Sequence, residues 1–327
     1  MILFWASLLA LTILLYVLLD GFDLGVGILF GFAGEPHRRS MLSAISPVWD
    51  GNETWLVVTG TVLFGAFPAA YAALLSAFYL PLVLMLCALI LRGVAFEYRH
   101  NAIVGFRWFW DFGFTAGSFV ATFVQGMTVG ALVEGLPMKD GHYIGGTFGW
   151  FSPFAVFCGF GLVLGYSLLG ASWLARKCEG RIRDRVYQLL PVLTVGVIAF
   201  VATAFVLALS MHLALMDRWL ERPYLLIFPL IGAASSIGLL RSVQHRNDLG
   251  PFRYSSLIFM AAFGTLAVSF WPFMIPGALT VQQAASPPES LNFIFWGAGV
   301  FVMPLTIVYT IVVYRLFGGK VANAHYE

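Results

Sequence analysis

The sequence predicts an all-α integral membrane protein of about nine transmembrane helices, and three observations lead there. Hydrophobic residues make up 60% of the 327 and charged residues 10%, with mean hydropathy +0.87, against roughly 25% charged in a soluble domain. Nine apolar runs, each near the roughly 20 residues a bilayer crossing needs, occupy 2–32, 42–67, 70–92, 110–133, 150–175, 188–212, 224–241, 255–275 and 292–316. Of the 18 Lys and Arg residues, 15 fall on one side of these runs and 3 (Lys139, Arg218 and Arg222) on the other. That bias puts the N-terminus outside and the C-terminus in the cytoplasm.

The chain reads as a single transmembrane domain over 1–327, with a first four-helix group at 1–133, a second at 150–275 and a peripheral ninth helix at 292–316. The first run carries no basic leader and ends in Asp20-Gly21-Phe22-Asp23 instead of a small-residue cleavage site, so it reads as a span and not a signal peptide. Basic residues form no patch that would bind nucleic acid. Cys87, Cys158 and Cys178 are too dispersed for a redox pair or a zinc site.

The second run is the most informative. Asp50, Asn52 and Glu53 lie inside what reads as a membrane-spanning helix, where one charged residue costs roughly 2.5–3.5 kcal/mol, so they must face protein, water or a cofactor. Pro47 and Gly51 loosen the backbone around Asp50. Asp20 and Asp23 are three apart in the first run and Asp50 and Glu53 three apart in the second, so each pair shares a helix face. Folding the two runs into a hairpin about residues 36–37 sets Asp23 opposite Asp50 and Asp20 opposite Glu53, each roughly 20–25 Å along the chain from the turn. Four carboxyls gathered at low dielectric cannot all be ionised, which suits a proton relay. The alternatives are helix glue through Asn52 and Glu53, a bound cation, or a partner's basic groups.

Arg92 closes the third run and Asp111 opens the fourth, with Glu97, Tyr98 and Arg99 between them as a cytoplasmic loop. This group reads either as a proton entrance toward Asp50 or as a snorkelling arginine and a dipole-matching aspartate. Trp49 and Trp55 fit subunit packing or an aromatic belt. His37, His100, His245 and His325 fall in cytoplasmic loops or the tail, His142 in an outer loop, and only His212 in a run, so no histidine pair suits a haem and no metal site is expected.

Asp20-Gly21-Phe22-Asp23-Leu24-Gly25-Val26-Gly27, Pro47-Val48-Trp49-Asp50-Gly51-Asn52-Glu53-Thr54-Trp55-Leu56, Phe96-Glu97-Tyr98-Arg99 and Trp271-Pro272-Phe273-Met274-Ile275-Pro276 together resemble subunit II of the cytochrome bd quinol oxidase family. The compact outer loops are similar to the branch that includes cyanide-insensitive oxidases. The resemblance implies a multi-pass protein of the bacterial inner membrane in an obligate heterodimer with subunit I, which carries the quinol site, two haems b and one haem d. It also implies small single-span accessory subunits in some complexes, and an electrogenic reaction of quinol with oxygen that does not pump. Subunit II binds no haem of its own, stabilises the haem centres, and in some members holds a lipid-like quinone.

By motif, Asp50 matches the family's carboxylate facing subunit I, Asp20 and Asp23 its first-helix pair, and Glu97 and Asp111 further polar positions of a proton path, with Glu97 standing where other members can have Asp. Trp49, Asn52, Glu53, Trp55 and Arg92 are the expected structural and interface residues. Two rival readings remain at this point, a proton-coupled transporter and a purely structural scaffold.

Overall fold

The computed structural model describes residues 1–211 and 222–321; His212 and Arg218 lie outside the described residues, as does the tail that contains His325. Almost everything described is helical. The long helices are α1 (Ile2–Phe30), α3 (Trp49–Ala66), α4 (Pro68–Asn101), α5 (Arg107–Glu134), α6 (Pro153–Lys177), α7 (Gly180–Ser210), α8 (Ile227–Gln244) and α9 (Gly250–Phe270), with the short α2 (Glu35–Ile45) between the first two. A short helix α10 (Pro288–Ile294) then runs through a π-helical turn (Phe295–Gly299) into α11 (Val300–Leu316).

Eight helical stretches among the described residues are long and apolar enough to cross a membrane, and the protein is a multi-pass membrane protein. The second apolar run departs from its expected form. It is not one helix over 42–67 but two, broken at residues 46–48, where Pro47 lacks the N–H to continue α2 and Val48 leaves helical geometry at φ −128°. Asp50 therefore stands in the first turn of α3 and Glu53 just beyond it, neither in mid-helix. The acids and Asn52 also keep α3 out of the strongly apolar set, although its 18 residues reach about 27 Å at 1.5 Å per residue.

A second difference concerns α4. Its helix does not stop at Arg92 but continues to Asn101, so Glu97 and Arg99 are helical instead of looped. Phe78 leaves helical geometry a turn before Pro81, the kink that an internal proline imposes. Because the helix continues, Arg92 and Arg99 lie seven residues apart on its buried face.

α1 is the helix around which the rest assembles, packing against α3, α5, α6 and α9. Its contact with α6 is backbone to backbone: a Cβ added at Gly25 would stand 1.8 Å from the carbonyl oxygen of Tyr166, and one at Gly170 2.4 Å from the carbonyl carbon of Gly25. Small residues are what permit two membrane helices to approach so closely. The ends of the bundle differ. One holds α2 and most of the basic residues; the other holds two small antiparallel hairpins, Met138–Lys139 with His142–Tyr143 and Phe273–Ile275 with Leu279–Thr280.

Candidate functional site

Tyr16, Asp20 and Asp23 recur at i, i+4 and i+7 on α1 and are all buried. The extended α4 brings Arg92 to them, its guanidinium donating to Asp20 Oδ1 at 2.9 Å, with Arg92 1% and Asp20 0% exposed. From the first turn of α3, the Asn52 amide donates to Asp23 Oδ2 at 2.7 Å and to the Leu19 carbonyl at 3.2 Å. Its own oxygen accepts from the Tyr314 hydroxyl of α11 at 2.8 Å. Gln125 of α5 donates to the Tyr16 hydroxyl at 2.7 Å and accepts from Tyr166 of α6 at 3.1 Å. Six helices thus contribute to one buried polar layer.

Asp20 Oδ2, Asp23 Oδ1 and two nitrogens of Arg92 have no protein partner there. Glu53, half-buried, adds a third carboxyl to the field of Arg92. Three carboxyls against one guanidinium would leave a formal charge of −2 if all were ionised. A buried ion pair regains its desolvation cost only with good geometry and saturated hydrogen bonds, and this one is not saturated by protein groups. The layer is suited to holding protons or ordered water.

The expected pairing of Asp50 with Asp23 does not form. Asp50 points outward from α3 and is exposed on this chain, and Asn52 takes the place opposite Asp23. The reason is the break at 46–48, which starts α3 at Trp49 and turns Asn52, not Asp50, toward α1. Glu97 is likewise exposed and joins neither ionic group. Trp49 packs on Phe96, ring centres 5.0 Å apart, so Asp50 and Glu97 flank a contact between α3 and α4. Trp55 is buried, its indole N–H unpaired within the chain.

Asp111 belongs to a second group at the basic end. It accepts from Arg99 Nε and, at 2.6 Å, from Arg38, while Arg99 forks to both oxygens of Glu35 at 3.0 Å. Both guanidinium groups lie over the Phe30 ring, at 5.1 and 5.4 Å. This clasp ties α2, α4 and α5 together beside a cleft of about 280 Å³ lined by Glu35, Arg38, Arg107, Trp108 and Asp111.

Several members of these two groups are not evident from the runs alone. Tyr16 could be found from its spacing to Asp20, and Arg99 from its spacing to Arg92 once the helix is extended. Gln125, Tyr166 and Tyr314 carry no local signal, because only tertiary packing brings them to the acids.

The family model described as cytochrome bd terminal oxidase subunit II matches residues 1–317. The chain belongs to that family. Within the cytochrome bd subunit II family, it is 32% identical to the probable cytochrome oxidase subunit 2 of Haemophilus influenzae, covering 98% of this chain and 95% of that protein. It is 29% identical to the cytochrome bd-I ubiquinol oxidase subunit 2 of Escherichia coli K12, covering 99% and 96%. The cytochrome bd ubiquinol oxidase subunit 2 of Bacillus subtilis is also 29% identical, covering 98% and 96%. In fold it is similar to a chain of the bd oxidase of Geobacillus thermodenitrificans, with a TM-score of 0.77, 15% identity, and 97% and 98% of the two chains covered. As a family member it is a subunit of an oxidoreductase complex.

Proposed function

We propose that this chain is the non-haem subunit of a quinol:oxygen oxidoreductase in the bacterial cytoplasmic membrane, with its basic end in the cytoplasm. In this reading it stabilises a haem-bearing subunit I and lines part of the route by which protons reach the site of oxygen reduction. The observation that carries the proposal is Asp50. It is a carboxylate exposed at the start of a helix whose outward residues further along, Val57 and Phe64, are large and apolar. Such a group is not left against lipid. A partner subunit covers it, and a proton route along that interface would pass Asp50 and Glu97, with Asp111 at the cytoplasmic approach and the Asp20–Asp23 layer behind.

Among the described residues, the histidines do not fit a haem site of this chain. His37 lies in α2, His100 near the end of α4, His142 in a hairpin and His245 just beyond α8, none of them buried. Among those residues no three or more His, Cys, Asp and Glu side chains are gathered as a metal site needs. The haems would supply the electron transfer and oxygen chemistry; this chain's residues would hold and pass protons.

A purely structural reading of Asp20 has its own support, since Arg92 pairs with it directly. The two are separated by substitution in the complex purified through this chain, whose visible spectrum should show haem b and haem d bands. Asp50→Asn keeps the volume and one acceptor oxygen but removes the titratable group, so oxygen consumption should slow with haem content preserved. Full turnover in that variant would exclude Asp50 from the route, and a colourless complex would overturn the oxidase reading.

A further inference from the structure

α11 buries none of its residues within this chain, yet its last turn and the five residues after it are held by a dense set of polar contacts. Lys177, at the end of α6, donates to the carbonyls of Phe317 and, at 3.0 Å, Gly319, while Val321 N–H donates to the Lys177 carbonyl at 2.8 Å. Lys320 pairs with Glu179 at 3.2 Å and with Asp248 at 2.8 Å. Asp248 also accepts from Arg183 at 2.7 Å and from the Tyr187 hydroxyl at 2.8 Å. Residues 317–321 are thus a strap across the α6–α7 and α8–α9 connections.

One turn before the strap stands Tyr314. Its ring packs edge-on to Trp173, centres 6.0 Å apart, and to Phe22, and Trp173 is one turn from Lys177 on the same helix. Lys177 Nζ also lies 5.1 Å from the Trp173 ring centre. The end of α6 therefore fixes both the strap and the ring of Tyr314.

The hydroxyl of that ring meets Asn52, whose amide spends both donors, on Asp23 and Leu19, and accepts from Tyr314. Turning the amide over would set its oxygen against two other oxygens, so the orientation is fixed. Asn52 is 1% and Asp23 0% exposed, so bulk water does not reach the pair.

We infer that Tyr314 is a positioning residue for the buried acidic layer, and that the strap at 317–321 holds it in register, so that a contact at the membrane surface sets the geometry of Asp23 in the interior. The peripheral helix is then a lever between a surface ionic group and the buried acids. This concerns the geometry of the layer and leans on the proposed function only for the complex in which it is measured.

The test is infrared spectroscopy of the purified complex, reading the carboxyl stretch of Asp23, assigned by its loss in Asp23→Asn and its displacement in Asp23→Glu. Tyr314→Phe removes one hydroxyl and should displace that band. Lys320→Met, which touches the layer nowhere, should displace it in the same direction by a smaller amount, and Lys139→Met in the opposite-end hairpin should leave it in place. An unmoved band in Tyr314→Phe would overturn the proposal. A band moved by Tyr314→Phe but not by Lys320→Met would overturn the part assigned to the strap. A colourless complex would sink the oxidase reading while leaving this measurement intact.

Discussion

The buried layer around Arg92 and the clasp around Arg99 use the same residue types, and one helix supplies an arginine to each. In the clasp every carboxylate oxygen of Asp111 and Glu35 has an arginine partner, although Arg38 Nε is buried without a protein partner, and a cleft opens beside it. In the layer two carboxylate oxygens and two guanidinium nitrogens are unpaired by protein, and no side chain of the Asp20–Arg92 pair reaches solvent. Seven residues of helix, roughly 10 Å, separate an ionic group whose carboxylates are saturated by arginine from one whose carboxylates are not. Pairing alone does not separate the two groups; what separates them is whether the paired carboxylates are saturated.

The strongest way to break the contrast is Arg92→Met. Removing one partner of a buried pair strands the other charge, at a cost of about 3–5 kcal/mol. Heat-induced loss of the assembled complex should move sharply downward, and Asp20→Asn added to it should recover most of the loss; a melting profile equal to wild type would show that the pair is inert. Next comes Gly25→Ala, which forces a carbon against the Tyr166 carbonyl of α6 and should cost about 1–3 kcal/mol by overpacking. Gly60→Ala, with open space around it, serves as the control and should not destabilise.

Arg99→Gln sharpens the comparison from the other side. The clasp is partly wet, with Arg38 23% and Glu35 48% exposed at the side chain, so its loss should cost about 1–2 kcal/mol, between the exposed and buried limits. Raising salt should weaken the clasp but not the Arg92 pair, and an equal salt response from Arg92→Met and Arg99→Gln would erase the distinction.

The smallest effect is expected at the strap, and it depends on pH. Burial alone would push the Asp248 carboxyl up, but hydrogen bonds from Lys320, Tyr187 and Arg183 hold it below its ordinary value. Its contribution is present above the unfolded carboxylate value of about 3.9 and is lost as pH falls through the lower folded value. Lys320 is raised, chiefly by its hydrogen bond to Asp248. Its contribution is complete below the unfolded value of about 10.4 and is lost as pH rises through the folded one. Hydrogen-exchange protection at 317–321, the rate relative to that of an unstructured amide at the same pH, should therefore hold between these limits and fall beyond each, and Asp248→Asn should remove the acid limb. Protection that does not change across both limits in the wild-type complex would contradict the assignment.

Much of this was legible in the sequence because a bilayer reduces the problem to apolar length, and the eight strongly apolar stretches fall where the runs do. The acids were legible for the same reason, being expensive where they stand. What hydropathy blurred was their company. Arg92, Glu97 and Arg99 lower the apolar signal at the end of α4, so a continuous helix reads as a span plus a loop and Arg92 reads as snorkelling. Pro47 signals a loosened backbone but not how far the chain turns there, and that turn decides whether Asp50 or Asn52 faces Asp23. Tyr314 lies 262 residues from Asn52, and no local pattern connects them.

The Asp20–Arg92 pair also sets a problem in time. The two residues are 72 positions apart, and at a synthesis rate of about 5–20 residues per second roughly 4–14 s separate their emergence from the ribosome. During that interval the two acids of the first helix exist without the arginine that pairs with Asp20 in the folded chain. Birth of this chain therefore requires either that those carboxyls enter as neutral acids or that the insertion machinery shelters the first helix until the fourth arrives.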